Sequence, residues 1–461
     1  MKRGMATARR QAEGMHGRAR APVFRLVLLK SCLFLILAAL FPPTVCRAAD
    51  PGDFSYRFNL WNEVTYAAIH RSSPFNPGNI WLNLPVWSNS LVAEGEVSYS
   101  FRKRFKATGS FINRYDYAGD SRDRLRVKEL YLNWSVNSHW DLSAGKKILK
   151  WGTGYAWTPT GVFDPVRDPR DPTDRLSQYE GAELVELRGT YGNQNVTAAY
   201  GSPRLFSKLQ TRRREDQLAF KYNSLVRKLD YSLIASFGGP RTANRYGANA
   251  SYVIGQSLEL HAEYIAQRGS RLLYPLAIVQ PDPRVSFTFP PLAALKEHDD
   301  SIYFKALGGA NYTFPSGWNL VVEYYRDQQG LGALERQRLD SFIQFNEEQA
   351  RLPGASDPSS ITPPAANLLW TLQGLGGFNR AQNYLFVRLA RDRLADKWSL
   401  ENIVLLSLRD GSSIWIPQVS FDFNERVGAY LRYTCYAGGH LTEFGALPWR
   451  STLNLGLALR F

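Results

Sequence analysis

An antiparallel up-and-down β-barrel of about eighteen strands, closed in lipid, is the fold that this sequence predicts, with about sixteen strands as the alternative count. Three observations lead there. From Phe54 to the last residue, segments of about ten residues alternate apolar and polar side chains, the period of a sheet with one oily and one wet face. Every second connection is short and the intervening ones are mostly long, as a barrel with one tight rim requires and a soluble sandwich does not. The last segment, STLNLGLALRF, puts Leu453, Leu455, Leu457, Leu459 and Phe461 on one face and Thr452, Asn454, Gly456, Ala458 and Arg460 on the other.

The composition excludes the main competitors. Of 461 residues, 44% are hydrophobic, 13% aromatic and 21% charged, so the chain is no low-aromatic disordered polymer. Mean hydropathy is -0.31, and downstream of residue 50 no apolar run approaches the ~20 residues of a spanning helix. A bundle of membrane helices is therefore ruled out.

Residues 1–48 read as a signal peptide. Lys2, Arg3, Arg9, Arg10, Arg18, Arg20, Arg25 and Lys30 precede the run Cys32 to Phe41, and Cys46-Arg47-Ala48 offers small residues for cleavage after Ala48. Nine of the 56 Lys/Arg and one of the 41 Asp/Glu lie in this leader, so the net charge falls from +15 to +7 once it is removed. Nucleic-acid binding, which a basic chain would suggest, loses its support. Two of the three cysteines are also in the leader, and the remaining Cys435 has no intramolecular disulfide partner.

Residues 49–461 are then one barrel. Clear strands include Tyr56-Phe58-Leu60, Leu91 to Phe101, Phe105 to Tyr117, Leu218-Phe220-Tyr222, Leu258 to Tyr264 and Val427 to Cys435. Short turns fall at Arg102-Lys103-Arg104, Asn137-Ser138-His139, Gly255-Gln256-Ser257 and Asn424-Glu425-Arg426. The long loops cover 152–182, 269–300 and 327–382. In the last of these, Leu334, Arg338, Phe342 and Ile343 show a loose helical spacing, and 367–375 is apolar; a lid, a plug or a cover for the barrel mouth are the open readings.

The C-terminal strand resembles that of bacterial outer-membrane proteins, which end on an aromatic recognised by the barrel-assembly machinery. The resemblance implies delivery to the outer membrane, with Leu457, Leu459 and Phe461 as the assembly signal. A narrower resemblance lies in GKKILKWGTGYAWTPTGVFDPVRDPRDPTD, Gly145 to Asp174, which looks like a strand and loop of porin-like families of Gram-negative bacteria. Neither resemblance implies a solute.

The polar faces supply a candidate lumen wall: Arg57, Glu94, Glu96, Lys106, Arg114, Glu259, Glu263, Lys305 and Arg432, with Glu63 and Glu323 among the further carboxylates. The two signs nearly balance, which favours pairing across strands and leaves ion selectivity open. The 152–182 loop carries Asp164, Arg167, Asp168, Arg170, Asp171, Asp174 and Arg175 among repeated Asp-Pro steps, a stiff extended backbone. These residues are the candidate pore constriction, with an ordered surface loop as the alternative. Lys146 and Lys147 are adjacent, so strict alternation would turn one toward lipid, at roughly 2–4 kcal/mol; a bulge at Gly145 is expected to re-aim them.

Chemistry has little foothold. His16, His70, His139, His261, His298 and His440 are scattered, without metal-ligand spacing, and no Gly-x-Ser-x-Gly elbow or phosphate loop occurs. His261, flanked by Glu259 and Glu263 on one strand face, reads as a salt-bridged wall residue. No cofactor, metal or catalytic residue is expected. An ~18-strand barrel encloses water where an eight-stranded one is filled by side chains, so the expectation is a passive channel for small hydrophilic solutes. Its expected partners are outer-membrane lipid, lipopolysaccharide and the assembly machinery. Polymer export, a sheath around a partner protein and an outer-membrane hydrolase are the alternatives.

Overall fold

The computed structural model describes residues 54–101, 104–117, 123–165, 169–170, 180–202, 216–238, 243–275, 295–350, 362–372 and 381–461. The leader, residues 1–48, lies outside them. The strands are β1 (Phe54–Ile69), β2 (Trp87–Phe101), β3 (Phe105–Asp116), β4 (Asp123–Ser135), β5 (Trp140–Lys147) and β6 (Ala182–Tyr191). They continue with β7 (Gln194–Gly201), β8 (Gln217–Val226), β9 (Leu229–Gly238), β10 (Arg245–Ile254), β11 (Leu258–Pro275) and β12 (Leu295–Thr313). The set ends with β13 (Asn319–Asp327), β14 (Asn383–Leu394), β15 (Trp398–Ser407), β16 (Ser413–Asp422), β17 (Val427–Ala437) and β18 (Trp449–Arg460). Each pairs antiparallel with its chain neighbours, and β1 pairs with β18, so the eighteen-stranded sheet has no edge. An open edge in lipid would leave backbone donors and acceptors unpaired at several kcal/mol each.

The seam is sealed by the last residue. Leu459 lies opposite Leu60 in the register, and Phe461 exchanges backbone hydrogen bonds with Phe58, whose ring is 6.0 Å away. The outer face is apolar, with Val97, Leu132, Leu233, Leu260, Leu431 and Leu455 exposed on it. Aromatic pairs mark both rims: Phe105–Trp134 and Trp398–Phe421 at the short-turn end, Tyr66–Trp87 and Tyr264–Phe304 at the other. This is the arrangement of a sheet whose outer side crosses a bilayer. No described helix is long and apolar enough to cross a membrane.

Two expected boundaries change. The 269–300 loop is shorter, because β11 and β12 run on as a ribbon beyond Gly269, which adopts φ +77° where the register shifts. Turn-forming Arg268-Gly269-Ser270 looks like a loop start but is an irregularity within a strand. The bulge expected at Gly145 is also absent, since β5 stays in register through that residue. The shift lies one strand over, in β4, where Ser110 opposes Glu129 and Phe111 opposes Val127. Lys128 is the extra residue there, which lets Lys128 and Glu129 share the inner face.

The long-loop end is roofed. Helices α1 (Ala333–Ala350) and α2 (Pro363–Trp370) are joined by the Asn367 amide donating to Asn346 at 2.7 Å. Leu339, Ile343 and Leu368 pack with Phe75 of the β1–β2 loop, Tyr274 of β11 and Ala446 of the β17–β18 loop. The buried stripe of α1 is Leu339, Ile343, Asn346, Glu347 and Ala350, so of the expected residues Ile343 is buried while Leu334 is 55% exposed. Arg336, paired with Asp340 of the same helix (2.8 Å), ties the cover down through Asp410 (3.8 Å) and the Leu441 carbonyl.

Asp410 makes this docking depend on pH. Burial works to raise its pKa, but hydrogen bonds from the Ser412 hydroxyl and amide, and from the Glu443 amide, outweigh it and leave the pKa below the usual value. A lowered folded pKa contributes stability that is complete above the unfolded value of about 3.9 and is lost as pH falls through the folded one. Asp340 has the opposite sign: burial raises its pKa, so its contribution grows in acid. Protection of residues 333–350 against hydrogen exchange, taken relative to the intrinsic rate at each pH, should therefore fall below about pH 4 in the parent, and already be low at pH 7 in Asp410→Asn. Equal exchange in parent and variant at pH 7 would remove Asp410 from the docking.

Candidate functional site: a strap across the lumen

Strand β5 leaves the wall after Lys147. Past its end β4 meets β6 directly, the Gly181 amide donating to the Lys128 carbonyl at 2.8 Å. Lys146, fully buried at this exit, pairs with Glu180 at 3.0 Å, and Lys147 pairs on the inner face with Glu186 at 2.6 Å. Lys146 stands on the outer side of the register, opposite Leu130, but is fully buried, and Lys147 points inward. The wall closes behind a departing strand, which the alternation could not foresee.

The departing segment, 148–165, crosses the lumen as a strap. Its first part packs Leu149, Trp151, Val162 and Phe163 against Leu184, Ala199, Ala219, Ile234 and Ile265 of β6, β7, β8, β9 and β11. Its tip packs Ala156 and Trp157 against Leu307, Tyr325, Phe386, Ile403 and Ile414 of β12 to β16. The Trp157 ring stacks on Tyr325 with centroids 4.7 Å apart. On these strands the alternate residues, such as Phe220, Leu233, Leu260 and Val404, are the exposed outer ones. A segment that touches ten strands on the opposite face lies inside the cylinder.

Backbone donors of the strap need acceptors away from water, and two wall carboxylates supply them. Glu263 of β11, 3% exposed, accepts from the amides of Thr153 (2.6 Å), Gly154 (2.7 Å) and Thr160 (2.9 Å), and from the Thr160 hydroxyl (2.7 Å). Glu323 of β13, fully buried, accepts from the amides of Tyr155 and Ala156 and bonds the His261 Nε2 at 2.9 Å. Asn249 of β10 donates to the Trp151 carbonyl at 2.8 Å and the Thr160 hydroxyl at 2.7 Å. Glu129 accepts from the Ile148 amide at 2.8 Å where the strap begins.

The expected constriction residues are placed differently. Asp164, half-buried, closes the strap on itself, its carboxylate accepting the amides of Trp151 and Gly152 at 2.8 and 3.2 Å. Arg170 sits in a half-buried turn. Arg167, Asp168, Asp171, Asp174 and Arg175 lie outside the described residues. Of the expected wall residues, Glu263 carries the largest share of the strap, while Glu259 is half-buried with no such contact described. The rest are mostly paired: Arg57–Glu96, Glu94–Lys128, Lys305–Asp327 (2.9 Å) and Arg432–Glu63 (3.0 Å) across strands, and Arg114 with Asp116 (3.0 Å) within β3. Lys106 is exposed near the short-turn rim. His261 is in an ion-pair contact as expected, but its partner is Glu323 on β13 rather than its strand neighbours.

Thr153, Tyr155, Trp157, Thr160 and Asn249 carry no signal that singles them out in the sequence. One signal was available for their neighbourhood. Ile403-Val404-Leu405-Leu406 and Ile414-Trp415-Ile416 are apolar on both faces, which a strand between lipid and water has no reason to be. Among the described residues, no group of three His, Cys, Asp or Glu side chains could hold a metal ion.

An even-numbered closed cylinder, apolar outside and crossed by an inserted segment, defines the class: a membrane-spanning antiparallel β-barrel. No protein-family model matches the chain, and no curated protein sequence matches it. Among solved structures it is similar to Pseudomonas aeruginosa OccK11 (OpdR), with a TM-score of 0.49 and 10% identity over 88% of this chain and 96% of that one. Pseudomonas aeruginosa OpdL is similar at 0.49 and 10%, over 89% and 99% of the two chains. A triple mutant of Rhodopseudomonas blastica porin aligns at 0.42 and 10%, over 88% and 100%.

Proposed function

We propose that this chain is an outer-membrane channel for passive diffusion of small hydrophilic solutes, with the strap as its constriction. In this reading the short turns face the periplasm and the roofed end faces the exterior. One observation carries it: a single strap crosses a cylinder of eighteen strands, a circumference that encloses water rather than only side chains. A sheath around a partner protein fits less well, because the strap already occupies the interior.

Planar-bilayer recording of the refolded chain from Phe54 onward tests the reading. Gly181 lies against the Lys147 backbone, so residues 150–179 can be replaced by a short glycine linker. The parent is expected to conduct, and the shortened variant to conduct more. Silence from both would reject the channel; equal conductance would reject the strap as its constriction.

A further inference from the structure

The insert between β13 and β14 hangs on the rim by a single neck. The Asp327 amide donates to the Gln382 carbonyl at 2.8 Å, and the Gln382 side chain donates to the Gly330 carbonyl at 3.1 Å. A Cβ at Gly330 would lie 2.5 Å from the Ala381 carbonyl oxygen, so the two legs of the insert touch where they leave the wall. Beyond that point α1 and α2 meet the other loops through non-covalent contacts alone.

From this neck the insert reaches the far side. Tyr274 of β11 and Phe75 between β1 and β2 stand on opposite sides of the ring, and Leu339, Ile343 and Leu368 pack in one cluster with both. Eighteen strands about 4.8 Å apart and tilted by about 40° make a ring roughly 36 Å across between backbones, less the inward side chains. The 18 residues of α1 make a rod of about 27 Å, close to the span left to cover. Polar contacts hold the insert down at both ends. Arg336 donates to the Leu441 carbonyl, Arg409 donates to the Leu331 carbonyl at 2.7 Å, and Glu347, at the end of α1 far from the neck, bonds the His440 Nε2 at 2.7 Å. A unit held by so few contacts belongs to the low end of a protein's local stability, from which moving elements are drawn.

The β17–β18 connection joins the insert to the strap. Its Leu441 and Ala446 pack with α1 and α2, while its Phe444 and Leu447 pack with Ala156 and Trp157 of the strap tip. Leu372, just past α2, packs against both clusters. Resting on the channel reading above, we propose that the α1–α2 insert is a lid that closes the exterior mouth at rest and lifts as a unit about its neck. On lifting it withdraws Leu372 from the strap tip and loosens the strap. The channel therefore opens in bursts, and the Arg336 and Glu347 contacts determine how often.

Glu347→Cys with His440→Cys, in a Cys435→Ser background and bridged by a short bis-methanethiosulfonate, tests the lid in planar bilayers. Bridging is expected to lower the open probability at least about tenfold, and reductant to restore it. Arg336→Ala is expected to raise it by about tenfold. Because the legs touch, residues 331–380 can be replaced by three glycines. This lidless chain should conduct without closures, and protection of its 153–160 amides against hydrogen exchange should fall at least about tenfold. Unchanged open probability on bridging would overturn the lid, and parent-like protection of the strap in the lidless chain would overturn the lid's hold on it. Current from the lidless chain beside a silent parent supports a lid that stays shut. No current from either would reject the channel reading and the lid with it.

Discussion

Glu263→Ala is expected to release the strap and open the barrel. Its carboxylate takes three amides and the hydroxyl of Thr160 within 2.9 Å, all in a buried setting. Each donor left without a partner costs roughly 1–3 kcal/mol, so docking loses on the order of several kcal/mol. Even about 3 kcal/mol lowers the docked-to-undocked ratio more than about a hundredfold. The barrel wall itself survives, because the β10–β11 and β11–β12 ladders run through Glu263 by their backbone alone. The signature is a correctly folded, heat-modifiable barrel with larger, noisier single-channel current and fast proteolysis within residues 150–164. Glu263→Gln keeps the acceptor oxygen of an amide and should fall between parent and alanine. Parent-like current and protease resistance in Glu263→Ala would show that Glu323, Asn249 and apolar packing hold the strap without Glu263.

Gly145→Ala should largely prevent folding. Gly145 adopts φ +135°, and a Cβ there would lie 2.3 Å from the Leu130 carbonyl oxygen and 2.6 Å from Tyr131 Cα. The conformation costs an L-residue about 1–3 kcal/mol, and the clash is with backbone, which cannot turn aside without breaking the β4–β5 ladder. That ladder is the last pairing before β5 leaves the wall, where Lys146 and Lys147 must find Glu180 and Glu186. Gly192 provides the contrast: it adopts φ +58° in a tight turn, and a Cβ there would meet nothing within 4 Å. Gly192→Ala should cost only about 1–2 kcal/mol. Refolding into detergent, read as the fraction migrating as a compact band before boiling, should be near the parent's for Gly192→Ala and small for Gly145→Ala. Equal yields for the two would show that β5 tolerates a shifted exit.

Much of the barrel was legible because each strand obeys a local rule. Leu91 to Phe101 alternates regardless of what lies inside, since one face meets lipid wherever the strand stands. Loop parity gave the strand count for the same reason: tight turns such as Gly255-Gln256-Ser257 announce themselves through residues that accept a left-handed backbone. The exit of β5 was not legible. Lys146-Lys147 looked like a defect in one strand, yet its resolution needs Glu180 and Glu186 from the far side of a long loop. The ribbon beyond Gly269 was lost because a turn-forming residue inside a strand gives the same local signal as one that ends it.

The site shows the division most clearly. Glu263 and Glu323 could be placed on inward faces by period two, and the 152–182 segment could be singled out as unusual. That the carboxylates bind the strap's backbone, rather than one another's cations, is a matter of who meets whom across the lumen. Charge-rich Asp-Pro steps drew attention to 164–175, while the docking is done by Gly-Thr-Gly-Tyr-Ala-Trp, whose amides carry no sequence signature at all.

The amino-acid order alone determined which face of each strand is oily, how many times the chain turns and where it ends, because lipid and water impose a repeating condition on neighbouring residues. Only the closed tertiary structure decided which strands the strap packs against, which carboxylates anchor it and where the wall seals behind it. Those outcomes depend on contacts between strands far apart in sequence, and a periodicity of two contains no information about what stands opposite.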